Sequence, residues 1–129
     1  MNFAVIDASA LIAFLEGEVG ADVIDAEIDG AMISAVNFGE VAQHQFRNGK
    51  SRSEMERLAD ELGLVIIPVD NSLALDAADI REIGRSIGLS QADCICLALA
   101  KQERSIVFTS DRNWLKIADE LGVEVELIR

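Results

Sequence analysis

A chain of 129 residues, half of them hydrophobic and 26% charged, is long enough for one self-sufficient core and too apolar for intrinsic disorder. Nine Gly and one Pro exclude a collagenous or linker-rich chain, and the longest apolar runs, Leu64–Val69 and Cys94–Ala100, are too short to span a bilayer. With 23 acidic and 11 basic residues the formal net charge is −12, opposite in sign to the usual electrostatic footprint of a nucleic-acid binder.

Phe3–Asp7 is a short β-branched apolar run ended by an acid and predicts a buried strand. Ala8–Leu15 is helix-prone, Glu16–Gly20 breaks it, and Ala21–Ile28 spaces Val23, Ile24 and Ile28 as an amphipathic helix. Gly30–Ser34 predicts a second strand, and Val36–Arg47 a helix stopped by Asn48-Gly49. Ser51–Leu62 is a further helix, with Ser51 and Glu54 at capping-box spacing and Gly63 at its end. Leu64–Val69 predicts the clearest strand, with Pro68 marking an end or a sheet edge.

Asn71–Ile87 reads as one helix before Gly88, and Ser90–Arg104 as an apolar helix buried on most sides. Ser105–Thr109 is a strand, Arg112–Leu121 a helix and Val123–Ile128 a last strand. Strands alternating with helices predict a single three-layer α/β/α domain over residues 1–129, with a central parallel sheet of about five strands. Sites in such folds lie at the carboxyl ends of the strands, near the point where strand order reverses.

That topology sends four carboxylates toward one rim. Asp7 closes the first strand and Asp111 follows the fourth, while Glu40 and Asp93 are expected in the first turns of helices that follow strands. Each has a plain structural reading as well. Asn37 to Glu40 and Ser90 to Asp93 match capping-box spacing, and Asp7 and Asp111 fit helix or strand caps. Capping does not explain why Asp7 and Asp93 sit in apolar sequence, Phe3–Leu15 and Ala92–Ala100. Clustered carboxylates repel, and a divalent cation removes that cost.

An all-oxygen donor set suits Mg²⁺ or Mn²⁺ rather than zinc or copper. The sole His, His44, lies one helical turn after Glu40 and is expected at the surface or in the core rather than beside the metal. Cys94 and Cys96, two apart on a helix, point to different faces and predict no disulfide, which with the missing secretory signal predicts a cytoplasmic setting. Neither a Ser-His-Asp nor a Cys-His arrangement is available, and no Gly-rich phosphate loop appears. Mg²⁺ held by few carboxylates keeps waters and meets substrate phosphates, the arrangement for displacement at phosphorus.

The segments carrying these acids, Val5-Ile-Asp-Ala-Ser-Ala-Leu-Ile-Ala13, Asn37-Phe-Gly-Glu-Val41, Leu89-Ser-Gln-Ala-Asp93 and Phe108-Thr-Ser-Asp111, together with Ile67-Pro-Val-Asp70, resemble the PIN domain family. Within it they are most similar to the VapC toxins of bacterial toxin–antitoxin pairs, and the resemblance runs along essentially the whole chain. It implies that Asp7, Glu40, Asp93 and Asp111 bind metal and carry catalysis, with the hydroxyls of Ser9 and Thr109 close by. It further implies a Mg²⁺- or Mn²⁺-dependent endoribonuclease acting on RNA, a homodimer, and inhibition by a VapB-type antitoxin. The acidic rim would favour an antitoxin that presents Arg or Lys.

Arg47, Lys50 and Arg52 around the Asn48-Gly49 turn, with Arg112 after Asp111, are the expected phosphate contacts. For Trp114 and Phe46 base stacking is weighed against ordinary core packing, and packing is favoured for both.

Other readings remain open at this point. A PIN nuclease in housekeeping RNA processing would share every motif and lack an antitoxin. A receiver-like phospho-acceptor would use Asp7, Asp70 and Thr109, but no Lys ends the last strand; a phosphatase with Asp7 as nucleophile would want an acid where Ser9 stands.

The charge distribution removes the electrostatic objection. Met1–Gln43 holds eight acids and no base, whereas His44–Lys116 holds eleven acids and ten bases. Six of the early acids, Glu16, Glu18, Asp22, Asp25, Glu27 and Asp29, are expected on a solvated face away from RNA.

Overall fold

In the computed structural model, which describes residues 3–129, five short strands form one sheet. They are β1 (Val5–Ile6), β2 (Met32–Ser34), β3 (Val65–Ile67), β4 (Val107–Thr109) and β5 (Val125–Leu127), in the spatial order β3-β2-β1-β4-β5. Every pairing is parallel, with Val5 beside both Met32 and Val107. Residues 1 and 2 of the expected domain lie outside the described residues.

Side chains alternate across each strand and so build two cores. Val5 and Val107 join Leu73, Ala77, Ile80, Trp114 and Ile117 on one face. Ile6, Ile33 and Phe108 join Leu11, Ile24, Val41, Met55 and Ala59 on the other. The helices divide accordingly: α1 (Ala8–Glu16), α2 (Ala21–Asp25), α3 (Ala35–Arg47) and α4 (Arg52–Leu62) cover the second face. On the first lie α5 (Asn71–Ile83), α6 (Gln91–Glu103) and α7 (Leu115–Leu121). Parallel strands need crossovers, and the first three each use a helix pair: α1 with α2, α3 with α4, and α5 with α6.

Several boundaries differ from expectation for local reasons. The expected Asn71–Ile87 helix stops at Ile83, because Gly84 lets the chain tighten into a 3₁₀ turn over Arg85–Ile87. The Arg112–Leu121 helix likewise opens as a 3₁₀ turn, Arg112–Trp114, under the Asp111 cap. The second helix closes at Asp25, short of Ile28, where the chain turns toward β2. The Ser51–Glu54 capping box is present in full.

The run that reads as the clearest strand becomes β3, an outer strand with Val65 46% and Ile66 36% exposed. Its β-branched residues satisfy the pleat, and Pro68 ends it where no further strand pairs. Among the described residues no helix is long and apolar enough to cross a membrane.

Candidate active site

Strand order reverses between β1 and β4, which lie side by side while their crossovers lead to opposite ends of the sheet. Asp7 follows β1 and Asp111 follows β4 by two residues, so both flank that switch point. A cleft of about 360 Å³ opens there, lined by Asp7, Ala8, Ser9, Ile12, Asn37, Glu40, Asp93, Ser110 and Asp111. The topology thus brings all four predicted carboxylates into one concavity.

Asp7 is the most enclosed of them, 6% exposed. As the N-cap of α1 its Oδ1 accepts from the Ala10 amide at 2.8 Å and from the Ser9 hydroxyl at 2.7 Å. Its Oδ2 accepts from the Thr109 hydroxyl at 2.6 Å. Each hydroxyl also accepts from the backbone beyond β4: Ser9 from the Ser110 amide and Thr109 from the Asp111 amide, both at 3.1 Å. One carboxylate therefore stitches the ends of β1 and β4 together, and it fixes the backbone that presents Asp111.

The other three acids hold their places by capping contacts or near them. Asp93 Oδ2 accepts from the Ser90 amide at 3.0 Å, and Ser90 Oγ accepts from the Asp93 amide at 3.1 Å, a complete capping box. Asp111 Oδ1 accepts from the Asn113 amide at 2.9 Å. The local structural readings of these two acids and their place in the cleft coexist, because one oxygen caps and the other accepts no hydrogen bond among the described residues.

Glu40 corrects the sequence reading. Ser34, not Asn37, is the cap of α3, accepting from the Asn37 amide at 3.0 Å, which moves Glu40 to the sixth helical residue and out of the first turn. Asn37 takes a different part: its Nδ2 donates to Glu40 Oε1 at 3.1 Å and to the Ala92 carbonyl at 3.2 Å. Residues three apart share a helix face, so the Asn37–Glu40 spacing carried this signal as well as the capping one.

The cleft is negative without compensation. Among the described residues none of the five ion pairs involves Asp7, Glu40, Asp93 or Asp111. Burial pushes the Asp7 carboxyl up to about 6 from an ordinary 3.8; the bonds from Thr109, Ser9 and Ala10 pull the other way, and the Asp93 charge adds to the rise. Behind the cleft the Cys96 thiol is held well above its ordinary value, first by burial and then by Asp7, Asp93 and Glu40. Both cysteines are free, as their spacing predicts.

This donor set fits a hard divalent cation: four carboxylates, no His or Cys in the lining, and charge that no ion pair among the described residues offsets. Among the described residues no three acidic, His or Cys side chains close directly around one point. The acids line the cleft instead, which suits an ion that keeps part of its water shell.

Of the expected phosphate contacts, Arg112 adjoins Asp111 and is exposed. Arg47 ends α3, seven residues beyond Glu40 and so about 10 Å along the helix. Lys50 lines a separate concavity of about 340 Å³ with Leu15, Gln45, Glu54, Met55 and Arg57, and stands 3.8 Å from Glu54; Arg52 stands 3.5 Å from Glu56. The six early acids Glu16, Glu18, Asp22, Asp25, Glu27 and Asp29 are all exposed. His44 bonds Glu16 Oε1 at 2.9 Å, at the end of α3 away from the cleft, and Phe46 is 46% exposed. Trp114 is fully buried, which removes it as a stacking platform. Asp70 caps α5 beside the outer strand and does not line the cleft, which dismantles the receiver-like arrangement.

A family model describing the PIN domain matches residues 4–120. Among solved structures, a toxin–antitoxin complex from Klebsiella pneumoniae is similar at 21% identity and a TM-score of 0.77, over 98% of both chains. DNA-bound VapBC from Salmonella typhimurium is similar at 15% identity and a TM-score of 0.71 over the whole of both chains. VapBC-1 from nontypeable Haemophilus influenzae gives 12% and 0.69 over 98% of both. At such identities the likeness is one of fold. No curated protein sequence matches.

Proposed function

The chain belongs to the PIN domain family, and from that premise we propose that it is a single-domain, divalent-metal-dependent endoribonuclease, the toxin of a toxin–antitoxin pair. The observation that carries the reading is the convergence of Asp7, Glu40, Asp93 and Asp111 on one uncompensated cleft at the switch point of the sheet. Those four acids would hold Mg²⁺ or Mn²⁺. When bound, such an ion acidifies water and neutralises the charge that develops at phosphorus.

The chain's own residues do the rest. Ser9 and Thr109 donate to Asp7 and keep both its oxygens aimed and ionisable. The Ser110 and Asp111 amides, tied to those hydroxyls, hold the Asp111 side of the cleft in register with the Asp7 side. Arg112 supplies a cation at the rim for a phosphate flanking the scissile one, with Arg47, Lys50 and Arg52 available only to a longer strand that follows α3. The similarity to VapBC assemblies supports an antitoxin partner. A basic antitoxin side chain reaching this cleft would neutralise the same carboxylates and exclude phosphate.

The experiment is incubation of purified protein with total RNA and Mg²⁺ or Mn²⁺, with cleavage sites mapped by end sequencing. Discrete cuts are expected, abolished by a chelator and by Asp93→Asn or Asp111→Asn. Cleavage that persists in the chelator, or in both folded variants, would overturn the reading.

A further inference from the structure

The buried amide of Asn37 joins the helix that bears Glu40 to the helix that bears Asp93. Asn37 is 2% exposed, yet every polar atom of its side chain is engaged. Oδ1 accepts from the Ser34 hydroxyl, which anchors the amide to the end of β2. Nδ2 donates to Glu40 Oε1 on α3 and to the Ala92 carbonyl on α6, the residue directly before Asp93. An amide has two hydrogens on one nitrogen, and here one goes to each helix.

Glu40 has three rotatable bonds and an exposed carboxylate; among the described residues its only hydrogen bond comes from Asn37. Without that bond the like charges of the cleft would drive it toward solvent. Capping does not account for the amide, since Ser34 already caps α3 and Ser90 caps α6. Apolar packing does not account for it either, since a Leu fills similar volume with no polar atom to satisfy.

We propose that Asn37 is a positioning residue for the cation, holding the Glu40 carboxylate in place from an anchor on the Ala92 carbonyl of α6. The inference rests on the reading of the cleft as a divalent-cation site and adds to it a residue that acts through Glu40 rather than as a ligand. Partners that orient metal-binding side chains cost 10–100-fold in metal affinity when removed. An effect of about tenfold or more is therefore expected here.

The test is Mn²⁺ titration read by loss of the free-ion EPR signal, on wild type, Asn37→Ala, Asn37→Leu, Glu40→Gln and the double variant Asn37→Leu with Glu40→Gln. Thermal melts check that each is folded, and Asn37→Leu keeps the volume if Asn37→Ala collapses. The expected result is a Mn²⁺ dissociation constant raised about tenfold or more by either Asn37 change, with the shift falling below about twofold in the Glu40→Gln background. A merely structural role would lower melting temperature and leave the dissociation constant of the folded fraction in place. A folded Asn37 variant within twofold of wild type would overturn this inference alone, as would a shift of equal size in the Glu40→Gln background. A wild-type chain that takes up no Mn²⁺ would overturn the metal reading and this inference together.

Discussion

Asp7→Asn is expected to abolish RNA cleavage while making the metal-free protein more stable at pH 8. Asp7 is the buried member of the four acids, and its carboxyl is pushed up to about 6 from an ordinary 3.8. Between those values the folded chain holds a proton that the unfolded chain has released, so stability falls as pH rises through that window. Above pH 6 the ionised group carries the whole cost, about 3 kcal/mol at about 1.4 kcal/mol for each unit of displacement. An Asn never ionises. It keeps an acceptor for the Ala10 amide, so the variant gains up to about 3 kcal/mol at pH 8 and nothing below about pH 4.

Activity goes the other way. Losing the central carboxylate removes the charge that draws the cation between β1 and β4, and a fall on the order of 10³-fold in kcat is expected. Urea melts at pH 4 and pH 8, with and without Mn²⁺, check both halves: Mn²⁺ should stabilise the wild type at pH 8 and leave the variant unmoved. An Asp7→Asn variant that is less stable at pH 8 than metal-free wild type would contradict the assignment of a burial cost to this group.

Trp114→Ala carries the largest expected loss of stability. The indole is fully buried among the residues that close α5, α6 and α7 over the sheet. Truncating it leaves a cavity and forfeits the transfer energy of the ring, about 3–5 kcal/mol. That is a large share of the roughly 5–15 kcal/mol that holds a domain together. Trp114→Phe should lose much less. It keeps one ring in the core and removes an Nε1–H that has no hydrogen-bond partner among the described residues. Denaturant midpoints for the two variants check the order, and a Trp114→Ala chain as stable as wild type would refute the packing role.

Trp114 packs in the core, as the sequence favoured, although Arg112, Asn113 and Lys116 surround it with polar residues. The 3₁₀ turn under the Asp111 cap points the ring inward. Phe46, also expected to pack in the core, is instead 46% exposed near the end of α3. Glu40 was mislocated for a different reason. Two capping residues stand three apart, Ser34 and Asn37, and only the structure distinguishes the cap from the buried bridge. The rest of the architecture was legible because alternation of strands and helices leaves few topologies. An acid at the end of β1 or β4 can then face only the switch point. Long-range contacts such as Asn37 to Ala92 had no sequence signal beyond the polarity of one residue.

The central proposal is a divalent-cation site between Asp7, Glu40, Asp93 and Asp111. Anomalous diffraction at the manganese edge from crystals soaked in Mn²⁺ tests it most directly. The expected result is a strong peak in the cleft, in contact with at least one of the four carboxylates directly and with the others directly or through water, and absent in Asp7→Asn crystals. A cleft without a peak at millimolar Mn²⁺ in protein that cleaves RNA, or a peak elsewhere on the chain, would contradict the account.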